Sequence, residues 1–168
     1  MHNRYLDIVR LLIDAAPFVF TGDCFALKGG TAINLFLEEM PRLSVDIDLV
    51  FTDLSHPDRE SALAAIEREL HAVAQQLETR LGVTVRPTHS GSDHESKLFV
   101  SRGPVLLKIE VNHVFRGTVY PPVPGSLSPA ARSDSSGHCP YRCSTLMNCM
   151  PVNWWPHWIA STQGTCST

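Results

Sequence analysis

An α/β fold, a mixed sheet with flanking helices, follows from three features of the sequence. A short apolar run ends in Gly29-Gly30 and passes into a helix-like segment. The run Val45-Asp46-Ile47-Asp48-Leu49-Val50-Phe51 alternates apolar and acidic residues, as a strand with one buried face does. Three more strand-like runs lie between residues 83 and 111, behind a long amphipathic stretch. At 168 residues the chain suits a single unit with a sizeable core.

The elements follow in order. From Arg4 to Ala16 the residues Tyr5, Ile8, Val9, Leu12 and Ala15 recur at three- and four-residue intervals, the stripe of an amphipathic helix. Cys24-Phe25-Ala26-Leu27 is a short strand closed by the glycines, after which Thr31 caps a helix running to Glu39 with Ile33, Leu35, Phe36 and Leu37 on its apolar side. Pro41 ends that helix. In the strand that follows, Val45, Ile47 and Leu49 face one way and Asp46 and Asp48 the other. Ser55-His56-Pro57-Asp58 opens a long helix to about Arg80, with Leu63, Ile66, Leu70, Val73 and Leu77 at helical spacing, and Gly82 closes it. Val83–Arg86, Lys97–Val100 and Val105–Val111 read as strands, the last two joined through Ser101-Arg102-Gly103-Pro104. Leu107, Ile109 and Val111 share one face; Lys108 and Glu110 share the other, and an antiparallel hairpin could bring Glu110 beside the aspartate strand. Nothing repeats internally.

The net charge of −3 gives no global basic field, so any nucleic-acid contact has to come from a local patch. No apolar run approaches the roughly 18 residues of a membrane span, and Met1-His2-Asn3-Arg4-Tyr5-Leu6-Asp7 lacks the pattern of a signal peptide, so a cytoplasmic protein is expected. Cys24 stands apart from Cys139, Cys143, Cys149 and Cys166. His138, Cys139, Cys143 and Cys149 do not have the paired spacing of a zinc site, and no zinc is expected.

Chemistry concentrates in two places. Carboxylates at i and i+2 of one strand lie roughly 6–7 Å apart along the backbone on a common face, where Asp46 and Asp48 can converge on one or two cations or simply be solvated. Gly29-Gly30-Thr31 sits at a strand-to-helix turn, where glycine admits close backbone approach and free helix N–H groups attract an anion; an ordinary turn would look the same. Lys28 is either a solvated strand end or a phosphate ligand, while Arg42 and Ser44 tie down the loop or, second, bind phosphate. A phosphate cradle next to a cation site is what nucleotidyl transfer requires.

The stretch Phe25-Ala26-Leu27-Lys28-Gly29-Gly30-Thr31-Ala32, followed by Arg42-Leu43-Ser44-Val45-Asp46-Ile47-Asp48-Leu49, resembles the AbiEii/AbiGii type nucleotidyltransferases. These are toxin components of type IV toxin–antitoxin and abortive phage-infection systems. The resemblance implies a polymerase-beta-like nucleotidyltransferase core that transfers a nucleoside monophosphate from a magnesium-bound triphosphate, GTP or a pyrimidine triphosphate, to an RNA acceptor such as tRNA. It implies a two-metal Mg2+ site held by Asp46 and Asp48, with Glu110 as third catalytic carboxylate, and a cognate antitoxin as partner. Gly29, Gly30 and Thr31 would meet the nucleotide phosphates, with Lys28 and Ser44 completing the nucleotide-binding set. For Glu110 a cross-strand ion pair on a surface strand is an equal alternative.

Members of that family continue into a helical half carrying a lysine and an arginine–aspartate pair, and this chain has no such segment. From about Ser133 it turns to proline, cysteine and tryptophan (Trp154, Trp155, Trp158) without periodicity. Residues 1–132 are therefore read as the nucleotidyltransferase core and 133–168 as an irregular tail, with the C-terminal helical half missing. Read in the frame that starts at the third base of the Leu146 codon, Met147-Asn148-Cys149 becomes Glu-Leu, and permitted codons elsewhere restore a text like the missing motifs. A frameshift near residues 130–135 is the expectation, leaving either an active enzyme or an inactive remnant that binds nucleotide or antitoxin.

Overall fold

A computed structural model of the chain describes residues 2–29, 46–89, 95–118, 122–125 and 147–149. Among these, the elements run α1 (His2–Val19), β1 (Phe25–Lys28), β2 (Ile47–Phe51), α2 (Arg59–Leu81), β3 (Thr84–His89), β4 (Glu95–Arg102), β5 (Val105–Arg116), β6 (Val123–Gly125) and β7 (Met147–Cys149). The strands form one sheet in the order β3-β4-β5-β2-β1-β7-β6. It is mixed: β3, β4 and β5 meander antiparallel, β5 runs parallel to β2, β2 antiparallel to β1, and β1 parallel to β7. The expected α/β class therefore holds, while the helix expected from Thr31 to Glu39 lies outside the described residues.

Strand alternation decides what lies inside. Phe25, Leu27, Ile47, Leu49, Phe51, Leu98, Val100, Leu107, Ile109 and Val111 project to one face, each no more than 2 % exposed. Full burial of such side chains contributes about 1.5–3 kcal/mol apiece. Both helices pack on this face, α1 against β5 and α2 against β3 and β4, and they touch each other.

Helix α2 starts where Asp58 accepts a hydrogen bond from the Ser61 N–H at 2.7 Å and stops at Gly82, whose φ of 62° admits the left-handed turn; both ends match the sequence reading. Its buried residues Leu63, Ile66, Leu70, Val73 and Leu77 are the expected ones, joined by Ala62 and Ala65. Helix α1 departs from expectation by continuing through Pro17 to Val19. Proline forfeits a single hydrogen bond so close to the helix end, Val19 is buried, and the Thr21 hydroxyl donates to the Pro17 carbonyl at 2.9 Å. Strand β5 also outruns its hydrophobic pattern, reaching Arg116, because β2 still pairs with it there, Val50 with Asn112 and, after a shift of register, Phe51 with Arg116.

Candidate active site

Lys28, Asp48, Lys97, Lys108 and Glu110 stand on the other face of the sheet, which also carries the buried Ala26 and Val50. Ile47 pairs with Ile109 and Asp48 with Glu110 across the parallel β2–β5 ladder, and in a parallel pair matched side chains stand on the same face. On the opposite flank of β2, Asp48 faces Lys28 of β1; on the outer flank of β5, Glu110 faces Lys97 of β4. One cross-strand row thus reads Lys97, Glu110, Asp48, Lys28. The neighbouring row brings Lys108 beside Asp46, just ahead of β2.

Ion pairs tie the rows together. Lys108 Nζ lies 3.0 Å from Asp46 Oδ2 and 3.3 Å from Glu110 Oε2, bridging the two carboxylates. Lys97 Nζ holds the other oxygen of Glu110 at 3.0 Å. Gly29 closes the end of β1 with φ 81°, and a Cβ placed there would stand 3.1 Å from Asp48 Oδ2. The glycine corner therefore leaves little room for a side chain beside the central aspartate.

These neighbours set the proton affinities. Burial pushes the Asp48 carboxyl above the ordinary aspartate value; the attraction of Lys28 and Lys108 opposes this, and the smaller repulsion from Asp46 and Glu110 adds to it. Burial also pushes Glu110 upward, but hydrogen bonds from Lys97 and Lys108 outweigh it and hold the group below the usual glutamate range. The Lys108 ammonium is held above the usual lysine value by its hydrogen bond to Asp46, with Glu110 contributing, against a smaller opposing effect of burial.

Asp46, Asp48 and Glu110 offer oxygen donors only, on one face and in adjacent register, which suits a hard cation such as Mg2+. They are not drawn into a closed ligand cage, since among the described residues no group of three acidic, histidine or cysteine side chains gathers as one. The Lys108 ammonium stands between two of the carboxylates, where a cation would neutralise the same charge. The oxygen-only donors suit magnesium in kind, and the position between Asp46 and Glu110 is held by the Lys108 ammonium.

Of the residues singled out in the sequence, Lys28, Gly29, Asp46, Asp48 and Glu110 come together here, whereas Gly30, Thr31, Arg42 and Ser44 lie outside the described residues. The ion-pair reading of Glu110 holds together with its place beside Asp48. Lys97 and Lys108 have no part in the site on the sequence reading; for Lys108 its place two positions before Glu110 on an alternating strand was the available signal, and for Lys97 there was none. Cys24 lies on the helix side, lining a cavity of about 200 Å³ with Phe18, Val73 and Glu69. Burial and the nearby Glu69 push its thiol up to about 12, so it is no thiolate nucleophile. Among the described residues, no helix is long and apolar enough to cross a membrane.

A family model described as nucleotidyl transferase AbiEii toxin, type IV TA system, matches residues 10–150. No curated protein and no solved structure matches the chain.

Proposed function

Because this chain belongs to the nucleotidyl transferase AbiEii toxin family of type IV toxin–antitoxin systems, we propose that the face bearing Asp46, Asp48 and Glu110 is where it transfers a nucleoside monophosphate from a magnesium-bound triphosphate to RNA. The observation that carries this reading is the register: Glu110 beside Asp48, with the Gly29 turn so near the Asp48 carboxylate that a Cβ there would stand 3.1 Å from Oδ2. The acceptor hydroxyl oxygen bonds to the α-phosphorus as the bond to the departing pyrophosphate breaks. Magnesium, when bound, supplies charge neutralisation of the triphosphate and acidifies the attacking hydroxyl. Asp46, Asp48 and Glu110 would hold it, their carboxylates standing in adjacent register on one face of the sheet. The backbone at Gly29 admits the phosphates closely and Lys28 faces them from the end of β1, while Gly30, Thr31 and Ser44 are further phosphate ligands by family resemblance.

GTP or a pyrimidine triphosphate is the proposed donor, a tRNA end the acceptor, two magnesium ions the cofactor, the cytoplasm the compartment and a cognate antitoxin the partner. Incubation with each α-labelled triphosphate and total RNA tests this. Label is expected in RNA with the wild-type chain and is expected to be lost with Asp46→Asn/Asp48→Asn; equal labelling by the two proteins would refute the assignment.

A second reading, an inactive remnant that binds nucleotide or antitoxin only, is favoured by the loss of charge and periodicity after Arg132, which we propose reflects a shifted reading frame. The family match continues to residue 150, past that point. The gene's nucleotides decide: stop codons or an unrelated text in the alternative frame would end the frameshift idea. Magnesium-dependent nucleotide binding without RNA labelling identifies the remnant.

A further inference from the structure

The carboxylates occupy the middle of the polar face, and the sheet continues beyond them through β4 to β3. Thr84, Arg86 and Thr88 pair with Ser101, Phe99 and Lys97, and Phe99 and Lys97 in turn pair with Lys108 and Glu110. The cross-strand row that contains the Lys108–Asp46 ion pair therefore extends outward as Phe99 and then Arg86. With strands about 4.8 Å apart, Arg86 begins a lane roughly 14 Å long that ends at Asp46. Both described helices pack on the opposite face, through Val85, Leu98 and Val100. Phe99 is half-buried and Arg86 exposed, and Leu106, 53 % exposed, adds apolar surface at the lane's side.

Its composition selects an occupant. A flat aromatic ring between an arginine and a lysine, bordered by the hydroxyls of Thr84, Thr88 and Ser101, offers a stacking surface for a base and cations for the flanking phosphates. The segments 84–88 and 97–101 contain no acidic residue, the nearest acids being Glu95 at the start of β4 and Glu110 beside Lys97. A weakly acidic chain needs such a local patch to hold nucleic acid.

We propose that the β3–β4 half of the open face is the acceptor lane: a single-stranded RNA end lies across it, one base stacked on Phe99 and a phosphate on Arg86, with its terminal hydroxyl directed at Asp46 and Asp48. The proposal rests on the reading of the carboxylates as the transfer site, and names the surface that presents RNA to it.

Anisotropy of a 5′-labelled single-stranded RNA oligonucleotide, titrated with the full chain, tests the lane. Phe99→Leu is expected to weaken binding about tenfold, and Phe99→Tyr to hold it within about twofold, since stacking needs a ring. Arg86→Gln is expected to weaken binding and to lower the slope of log affinity against log salt by about 0.7, one phosphate contact on a single strand. Magnesium-dependent triphosphate binding is measured in parallel: Phe99→Leu should leave it intact and Asp46→Asn/Asp48→Asn should abolish it. Wild-type RNA affinity in both Phe99→Leu and Arg86→Gln, or no RNA binding by the wild-type chain, overturns the lane. Triphosphate binding indifferent to the aspartates overturns the transfer-site reading instead.

Discussion

Replacing Lys108 by methionine probes the electrostatics of the carboxylate face directly. Its ammonium lies 3.0 Å from Asp46 and 3.3 Å from Glu110, with the lysine side chain 31 % exposed and Asp46 45 % exposed. At that exposure each pair contributes well under the unscreened Coulomb energy, about 0.2–1 kcal/mol, so the variant should fold. Toward a divalent cation the sign reverses. A dication held by Asp46 and Glu110 would stand roughly 4–5 Å from the ammonium, a repulsion of about 1–2 kcal/mol in a water-like dielectric. Removing the ammonium also frees the two carboxylates from their present partner. Lys108→Met is therefore expected to bind Mg2+ or Mn2+ about five- to thirtyfold more tightly, since about 1.4 kcal/mol corresponds to a factor of ten. Titration calorimetry, or Mn2+ paramagnetic resonance on the chain without nucleotide, reads the change. Lys97→Met, which touches Glu110 alone, should give a smaller gain. An affinity for Mn2+ that is unchanged or weaker in Lys108→Met would mean that Asp46 and Glu110 are not cation ligands.

Other consequences follow from individual contacts. Gly29→Ala forces a side chain into a left-handed conformation and against Asp48 Oδ2, so urea unfolding should show a loss of about 1–2 kcal/mol, with triphosphate affinity reduced; a neutral substitution would mean the corner is free to move away from the aspartate. Ile109→Ala removes a fully buried side chain behind the site and should cost about 2–5 kcal/mol in the same measurement, an effect below 1 kcal/mol being incompatible with the described core. Asp58 is held below the ordinary aspartate value by the Ser61 N–H, so its cap is complete above that value and is lost as the pH falls through the lowered one. Asp58→Asn caps without titrating, so its thermal midpoint should fall less on acidification than that of wild type; parallel acid profiles would contradict the cap.

The sheet was legible because its strands are two-faced. Between Ile47 and Leu49 and between Leu107 and Val111 the alternation named the buried and the polar residues correctly, Val50 being buried although it is in phase with the aspartates, and the glycine that ends α2 was visible by composition alone. What alternation leaves open is partnership. Nothing local in Lys108-Ile109-Glu110 says that β5 runs parallel to β2, or that Glu110 lands on Asp48 and not one residue along. That depends on the crossover through α2, β3 and β4, a long-range outcome of packing both helices on one face. The lysines illustrate the same limit. Lys97 lies thirteen positions from Glu110 and meets it only through the β4–β5 ladder, so its part in the site was unreadable until the register was known. Helix α1 exceeded its expected end because burial of Val19 compensates for Pro17, a tertiary effect that propensity does not contain.

Anomalous diffraction from a crystal of the full chain grown with Mn2+ and a non-hydrolysable nucleoside triphosphate asks whether this face is where metal and nucleotide meet. Manganese peaks are expected among Asp46, Asp48 and Glu110, with Lys108 displaced from its bridge and the triphosphate tail against Gly29. Manganese bound elsewhere, or a triphosphate seated away from the Gly29 corner, would contradict it.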